Sequence, residues 1–261
     1  MRAVVVTLYF DRRSMPHLLI AHPGHELLLY GWMSRTKPRV HVLTDGSAHA
    51  SAPRLRSTAE LLRDLGARRG AIFGALSDRE AYAMILEGNT ALLLSLVAKL
   101  AAQLEAERPE MIAVDAVEGY NPVHDLCRII AGAAIATAGI DTPLYEYAVV
   151  GDPRSMAAAI AVDLDDAEHA AKLQRARREA GVLADVDGLL LRYGASAYRR
   201  EAFRRVDDWT LLEGDVPALY ERTGEQRVAS GRYARVIRRR EHLLPLRDAL
   251  CAEVEKRPCA F

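Results

Sequence analysis

The sequence has little cysteine, few aromatic residues and no long apolar run, and each shortage argues against a class of protein. It contains three cysteines, and aromatic residues make up 6% of the chain. Cys127, Cys251 and Cys259 are an odd number without metal-like spacing, so we expect neither a disulfide framework nor a cysteine metal site. No apolar run approaches the roughly 18 to 20 residues of a membrane span, so no membrane protein is expected.

The chain also lacks an excess of either charge and a recognisable export signal. Its 35 basic residues balance 35 acidic residues, so neither nucleic acid nor an anionic membrane is expected as a partner. Nothing before residue 18 has the charged, apolar and cleavage regions of a signal peptide, which favours a cytoplasmic protein. The expected partner is a small-molecule substrate, and assembly into a homo-oligomer stays open.

Two local features allow simple interpretations. The apolar residues 3–7 predict an edge strand or an ordered N-terminal arm. Arginines cluster near the C-terminus, where helical spacing favours a solvated face over an anion-binding role. The cluster consists of Arg232, Arg235, Arg238, Arg239 and Arg240.

Short β-like runs alternate with longer helical stretches over residues 1–150. The β-like runs are residues 17–21, 39–44, 71–73, 111–115 and 144–150, and helical periodicity covers residues 55–65, 90–107 and 125–138. Gly66 and Gly139 are positioned as helix stops. This alternation predicts an α/β fold with a Rossmann-like, mostly parallel sheet and helices on both faces.

Residues 151–261 have a different character. No convincing buried strand remains there, and residues 163–205 alternate apolar and charged positions at helical period. Residues 226–255 predict one or two closing helices, broken near Pro245. We therefore expect an α/β domain over residues 1–150 and a mostly helical region over residues 151–261, packed on that domain.

The clearest functional signal is a pair of histidines at a predicted strand end. Residues 21–26 read Ala-His-Pro-Gly-His-Glu and directly follow the apolar run 18–20. Pro23 and Gly24 favour a turn that can present both His22 and His25. His124 follows another apolar run, residues 111–114, in a second turn-like segment. Because ligands of such sheets bind beyond the carboxyl ends of the strands, the three histidines predict a catalytic metal site.

The other histidines lack this pattern, and so do several familiar motifs. His17, His41, His49, His169 and His242 are each expected to be ordinary packed or surface residues, with His49 and His242 the best candidates for exceptions. No Gly-x-Gly-x-x-Gly segment follows a strand, and no nucleoside-triphosphate loop or Gly-x-Ser-x-Gly elbow is present.

In their order and spacing, the metal-site segments resemble the landmarks of the LmbE-like (PIG-L) superfamily of zinc-dependent de-N-acetylases. The resemblance covers roughly residues 17 to 150 and implies a Rossmann-like α/β sandwich. The matching segments are residues 21–26, the Leu-Thr-Asp-Gly of residues 43–46, Arg56 and Glu60 before Leu65-Gly66, and the Asn-Pro-Val-His of residues 121–124.

Carried over to this chain, the resemblance implies that His22, His25 and His124 bind zinc, with His25 replacing an aspartate ligand. It also marks a departure, since the family's general base is an aspartate at the position of Gly24. Asn121 and Val123 replace a histidine and an aspartate of the second motif. Loss of a general base costs on the order of 3 to 5 kcal/mol of barrier lowering, so an active enzyme must recruit another carboxylate.

Several acidic residues near the strand ends are candidates for that replacement. Glu118 is the first choice, because its Glu-Gly-Tyr turn can face a metal-bound water. The alternative role for Asp45 and Asp125 is to orient imidazoles through hydrogen bonds, and Glu26 also fits as a first-turn acid of a helix. The full set of carboxylate candidates is Glu26, Asp45, Asp115, Glu118 and Asp125.

Three further residues are expected to bind substrate or stabilise charge. Asn121 keeps a donor that can hold an oxyanion, although an asparagine before proline is equally an ordinary turn residue. Arg56 is expected to position substrate, with a solvated helix position as an equal alternative. Tyr120 lies on the same turn as Glu118 and is a second substrate-binding candidate.

Two functions remain in competition. The first is a zinc-dependent hydrolase of an amide or N-acyl bond on a small polar substrate such as an amino sugar. The second is a divergent relative without hydrolytic activity that binds a sugar-like ligand or a protein partner. A carboxylate within hydrogen-bond reach of a metal-bound water, roughly 2.6 to 3.2 Å, separates them.

Overall fold

The computed structural model describes residues 15–47, 54–178, 183–212 and 217–256. The expected N-terminal arm at residues 3–7, His49 and Cys259 lie outside these ranges. Within them, no helix combines the length and hydropathy that crossing a membrane requires.

A seven-stranded sheet forms the centre of the molecule, with the strand order β3-β2-β1-β4-β5-β7-β6. The first five strands of that order run parallel, and β7 is antiparallel to both β5 and β6. The mostly parallel α/β class predicted from the sequence is therefore confirmed. The strands are β1 (His17–Ile20), β2 (Arg39–Thr44), β3 (Arg68–Leu76), β4 (Ile112–Asp115), β5 (Leu144–Tyr147), β6 (Ile160–Asp163) and β7 (Arg200–Val206).

Helices cover both faces of the sheet because neighbouring residues of each central strand point to opposite sides. Leu19 of β1 belongs to one core cluster, whereas Leu18 and Ile20 belong to the other. α3, α4, α5 and α9 pack on the first face, and α1, α2 and α6 on the second. The helices are α1 (Tyr30–Thr36), α2 (Leu55–Leu65), α3 (Asp78–Glu87), α4 (Thr90–Glu107), α5 (Pro122–Ala138), α6 (Asp166–Arg178), α7 (Leu183–Tyr193), α8 (Leu219–Ala229) and α9 (Leu244–Glu255).

The expectation that residues 151–261 contain no buried strand was wrong. β6 and β7 both belong to this part of the chain, and β7 pairs with β5 of the first part. In β7 the buried Ala202 and Phe203 stand between charged residues, which hid the strand in the sequence. The boundary expected between residues 150 and 151 thus separates two parts that share one sheet.

The C-terminal helices also differ from the expected pattern. α8 ends at Ala229, and no regular helix or strand covers residues 230–238. A π-helical turn, Arg239–Leu243, leads directly into α9. Pro245 lies in the first turn of α9 rather than at a break, as suits a residue without a backbone N–H.

A buried ion pair joins α1, α6 and β7. The Glu201 carboxylate accepts hydrogen bonds from the backbone N–H groups of Gly31 (2.9 Å) and Trp32 (2.7 Å). It also contacts Lys172 Nζ at 2.8 Å, and that ammonium donates to the Leu28 carbonyl at 2.6 Å. Both side chains are at most 4% exposed, so neither charge has water as an alternative partner.

We predict that Glu201→Ala lowers the free energy of unfolding by about 3 to 5 kcal/mol, because it leaves the Lys172 charge buried and unpaired. Asp163→Ala is the control, since it breaks the more exposed Arg200–Asp163 contact of the adjacent strand and should cost less than about 1 kcal/mol. Denaturant unfolding measures both. Equal effects on the free energy of unfolding would contradict the conclusion that the buried Glu201–Lys172 pair stabilises the fold more than the exposed pair.

Candidate metal centre

The predicted histidines gather where the strand order of the sheet reverses. β1 lies between β2 and β4, so the chain continues to one side after β1 and to the other side with β4. The carboxyl ends of strands at such a switch point form the usual ligand crevice of an open α/β sheet. His22 and His25 follow β1, Asp115 ends β4, and His124 lies in the first turn of α5.

The three histidine rings are close neighbours. The ring centroids are 4.6 Å apart for His25 and His124, 5.3 Å for His22 and His124, and 5.4 Å for His22 and His25. The strand-end positions therefore bring together the residues proposed as ligands. Their role as ligands stays a prediction.

Asp115 connects this cluster to the neighbouring strand ends through hydrogen bonds. Its Oδ2 accepts hydrogen bonds from His25 Nδ1 (2.7 Å) and the backbone N–H of Ala21 (2.9 Å), and Oδ1 accepts one from the Tyr147 hydroxyl (2.7 Å). Burial favours the neutral acid, but the neighbouring His25 and His124 and these hydrogen bonds outweigh it and lower the pKa of Asp115 to about 2. Asp115 is therefore ionised, and it holds a proton on His25 Nδ1.

His22 is oriented by groups on two other strand ends. Its Nδ1 lies 2.9 Å from Asp78 Oδ1 and 2.8 Å from the Thr44 hydroxyl, which itself donates to the Ala21 carbonyl. The proton therefore resides on Nδ1, and Nε2 carries the lone pair. The Asn121 side-chain amide nitrogen donates to that Nε2 at 3.3 Å.

The chemistry of the donors fits a divalent metal ion. Within the described parts of the chain, His124 Nδ1 is buried without a hydrogen-bond partner, and burial holds the pKa of His124 well below its ordinary value. A buried neutral imidazole with an unpartnered nitrogen is a suitable ligand for zinc. Ligand atoms of His25, Asp115 and His124 all lie within 4.8 Å of one another.

Two ligand sets are candidates for this centre, and among the described residues the 4.8 Å limit is met by the second of them. In the first, His22, His25 and His124 bind the metal, and Asp115 orients His25 from behind, as carboxylates do at many zinc sites. In the second, Asp115 is itself a ligand together with His25 and His124. Both sets contain His25 and His124.

The turn that carries His25 depends on Gly24. Gly24 has φ 108°, and a short 3-10 helix follows from His25 to Leu29. Glu26 closes the turn, since its Oε2 accepts the Gly24 N–H at 2.7 Å and its Oε1 accepts the Thr58 hydroxyl at 2.7 Å. Glu26 thus serves the architecture of the site, and its burial raises its pKa.

Glu118, the first choice for the general base, is held by another loop. Its two carboxylate oxygens accept backbone N–H groups of Val149 (3.1 Å), Val150 (2.9 Å) and Gly151 (2.7 Å). Burial raises the pKa of Glu118, although these bonds oppose that change. The carboxylate therefore ties the loop after β4 to the loop after β5, and its role as a base stays a prediction.

Two other expected site residues make their side-chain contacts with groups other than the histidines. Asp45 makes a turn, with Oδ1 accepting the Ser47 N–H at 3.0 Å, and Thr44 orients His22 instead. The Arg56 side chain is 91% exposed and pairs with Glu60 at 3.0 Å, the solvated alternative considered for it. The arginine close to the centre is Arg54, whose Nε donates to the Gly46 carbonyl at 2.8 Å and whose charge acts on His25.

Tyr120 and Asn121 border the centre. The Tyr120 ring is 46% exposed, and its centroid lies 6.1 Å from that of His124. Asn121 caps α5, with Oδ1 accepting the Val123 N–H at 2.9 Å, so that its amide nitrogen is left to face His22. The ordinary turn role and the proposed donor role of Asn121 therefore coexist.

The C-terminal part of the chain packs against Gly119, which directly precedes Tyr120 and Asn121. Gly119 has φ 63°, its N–H donates to Asp125 Oδ1 at 3.3 Å, and its carbonyl accepts the Tyr220 N–H at 3.1 Å. Arg239, although part of the expected solvated cluster, is buried and lies 3.9 Å from Asp125. Burial raises the pKa of Asp125 to about 7, while the Arg239 charge opposes the shift.

Sequence reasoning missed Asp78 as well as Arg54. Asp78 follows β3 as the first residue of α3 and is 2% exposed. The signal was present, since Ser77 and Glu80 form a capping box directly after an apolar residue, Leu76. It marks a helix start at the same edge of the sheet as His22.

The fold and the position of the cluster match the architecture implied by the LmbE-like resemblance, a Rossmann-like sandwich with histidines at the strand ends. The chain is similar to the conserved protein TT1542 from Thermus thermophilus, with 20% identity over 78% of this chain and 97% of that one and a TM-score of 0.56. It is also similar to the A40926 pseudoaglycone deacetylase Dbv21, with 17% identity over 70% of this chain and 88% of that one and a TM-score of 0.50. Neither a protein-family model nor a curated protein matches the sequence. The similarity establishes a shared fold.

We predict that Gly119→Ala destabilises the protein by more than Gly88→Ala. Both glycines have a left-handed φ, 63° and 62°, and each alanine should cost roughly 1 to 2 kcal/mol for that reason. A Cβ at Gly119 would in addition lie 2.9 Å from Arg239 Nη2 and 3.3 Å from Ala218 Cβ, whereas no described atom lies within 4 Å at Gly88. Denaturant unfolding gives the difference, and equal costs would exclude tight packing at Gly119.

We predict that zinc affinity falls as the pH is lowered, starting above pH 6.5. Burial lowers the pKa of His25, but Asp115 outweighs burial and raises it above 6.5, so zinc must displace a proton at a higher pH than for an ordinary histidine. The logarithm of the apparent dissociation constant should rise by about one per pH unit.

A chelator competition titration measures this dependence, with Asp115→Asn as the comparison. That variant should shift the pH dependence downwards and weaken zinc binding about 10- to 100-fold. An affinity that stays constant from about pH 8 to pH 5 would contradict binding by His25.

Proposed function

We propose that this protein is a zinc-dependent hydrolase of an amide or N-acyl bond on a small polar substrate of the amino-sugar type. The observation that carries the proposal is the cluster of His22, His25, Asp115 and His124 at the switch point of the sheet. The fold shared with a deacetylase, Dbv21, adds support for the reaction class. The sequence resemblance points to the same chemistry.

The residues of the cluster would hold zinc through His25 and His124 together with His22 or Asp115. When bound, zinc supplies Lewis acidity to carbonyl and water oxygens at its open coordination position. The Asn121 amide nitrogen, beside His22, is suited to donate a hydrogen bond to the acyl oxygen as negative charge develops there. Tyr120, half-exposed beside His124, borders the place where the substrate would bind.

Gly24 stands where the proteins that this chain resembles have an aspartate as general base. Another group of this chain must therefore transfer the proton. Glu118 would have to release three backbone N–H groups before it could act as a base. Asp115 lies in the cluster, but its three hydrogen bonds and its lowered pKa suit it to orienting His25 rather than to accepting a proton. We therefore keep Glu118, whose pKa is raised by burial, as the proposed base, which would act once its backbone partners are released.

A second function is favoured by two observations. Gly24 offers no side chain at the usual base position, and both oxygens of Glu118 are engaged by backbone groups. These features suit a protein that retains the metal-binding architecture but binds a sugar-like ligand or a partner protein without hydrolysing it. Turnover measurements distinguish this function from the first.

We predict about one zinc per chain in the purified protein and little or none in His25→Ala or His124→Ala, because each variant removes a member of both ligand sets. His242→Ala is the control, since His242 lies in the π-helical turn, where its Nδ1 accepts the Arg238 N–H at 2.9 Å. Elemental analysis gives the metal content. Full zinc content in His25→Ala would refute the proposed centre.

The same preparations separate the two functions. Release of acetate from N-acyl amino sugars by the zinc protein, abolished in His124→Ala, would support the hydrolase. Stoichiometric zinc and sugar binding without acetate release would support the binding protein. Circular dichroism of each variant confirms that the comparison is made between folded proteins.

A further inference from the structure

A row of polar side chains leads from the candidate metal centre towards the C-terminal part of the chain. Asn121 lies beside His22, and the Tyr82 hydroxyl lies beside the Asn121 side chain. Tyr82 is one helical turn after Asp78, so α3 presents a carboxylate to His22 and a phenol to Asn121 from the same face. The Tyr82 ring contacts the Tyr233 ring edge to face, with centroids 6.4 Å apart.

Tyr233 in turn fixes the position of Arg227. The Arg227 guanidinium carbon lies 5.1 Å from the centroid of the Tyr233 ring, and Nη1 donates to the Tyr233 hydroxyl at 2.7 Å. Stacking and hydrogen bonding together restrict a side chain that is otherwise flexible. Tyr233 is 38% exposed, so the pair can be reached from solvent.

The charge of Arg227 is the feature of this group that can recognise a ligand. Two neighbouring arginines pair with carboxylates: Arg238 with Glu221 and Glu225, and Arg239 with Asp125. Among the described residues, no carboxylate lies within ion-pair distance of Arg227. The Tyr233 hydroxyl takes one of the five guanidinium N–H donors, and the others suit a carboxylate or phosphate.

Tyr82 completes the arrangement as a neutral donor. Burial raises the pKa of Tyr82 to about 12, so its hydroxyl keeps its proton throughout the neutral range. A ligand that extends from the histidine cluster along this row would meet the Tyr120 ring on one side, the Tyr82 hydroxyl next, and the Arg227 guanidinium at its far end.

We propose that Arg227, held by Tyr233 and flanked by Tyr82, forms a subsite that recognises an anionic group on the substrate, at a distance from the bond that is cleaved. The reaction at that bond rests on the proposed function, but binding of the anion does not. The preferred substrate is thus an N-acylated amine that carries a phosphate or a carboxylate. Binding energy from such a remote group raises the specificity of the enzyme without taking part in the chemistry.

The test compares three probes on the zinc-loaded protein: N-acetylglucosamine, N-acetylglucosamine 6-phosphate and N-acetylmuramic acid. Calorimetry gives the dissociation constants, and acetate release gives the rates. We expect the phosphate or the carboxylate probe to bind at least tenfold more tightly than the neutral sugar, the change expected for a charge-assisted hydrogen bond. Whichever anionic probe binds more tightly identifies the anion.

Substitutions then assign the preference to the subsite. Arg227→Met should abolish it while leaving the affinity for neutral N-acetylglucosamine unchanged, and Tyr233→Phe should reduce it, because the hydroxyl that holds the guanidinium is lost. Arg222→Met is the matched control, since Arg222 is an exposed arginine of the same helix. If Arg227→Met does not fold, Arg227→Lys keeps the charge without the planar fork and should lose part of the preference.

The outcomes distinguish the subsite from the reaction. Tighter binding of an anionic probe, lost in Arg227→Met and kept in Arg222→Met, supports the subsite even if no probe releases acetate, in which case the hydrolase proposal fails alone. Equal binding of neutral and anionic probes, binding of none of them, or a preference that survives Arg227→Met would overturn the subsite, whatever the rates.

Discussion

The candidate site depends on one buried carboxylate, that of Asp115. Its three hydrogen bonds join the end of β4 to Ala21 after β1, to His25 in the next turn, and to Tyr147 at the end of β5. Three adjacent strands are therefore tied together at the point where the sheet reverses its order. The negative charge is stable there because the partners compensate the cost of burial, and it fixes the tautomer of His25.

The loops around this anchor are held by further contacts between side chains and backbone. Glu118 binds the loop after β5, Glu26 binds the turn before His25, and Asp78 and Thr44 bind His22. Glu118, Asp78 and Thr44 each take a partner from a strand end other than their own. The geometry of the centre thus depends on contacts between several strand ends along this edge of the sheet.

The C-terminal part completes that edge. β7 extends the sheet beside β5, and the backbone of Tyr220 and the side chain of Arg239 enclose Gly119. This region was expected to be mostly helical and packed on the first part, and it also contributes strands to the sheet and a border to the site. The proposed anion subsite is formed largely by this region, through Arg227 and Tyr233.

The sequence predicted what depends on local pattern. The apolar runs before His22 and His124 marked strand ends, and parallel pairing brought those ends together. Arg54 could not be found in this way, because its position depends on where α2 begins: Arg54 precedes the helix and stays near the centre, while Arg56 lies on its solvated face. β7 was missed because its charged residues, including the buried Glu201, are satisfied by partners far away in the chain.

The unequal bonding of Asp115 and His124 has a consequence for how this protein can change over generations. Replacement of Asp115 by alanine would remove three hydrogen bonds that connect strand ends, whereas His124 Nδ1 has no hydrogen-bond partner among the described residues. Mutational drift towards a protein without metal would therefore pass through His124 first. A descendant that no longer bound the ion would therefore still retain Asp115, because this residue also connects the strand ends.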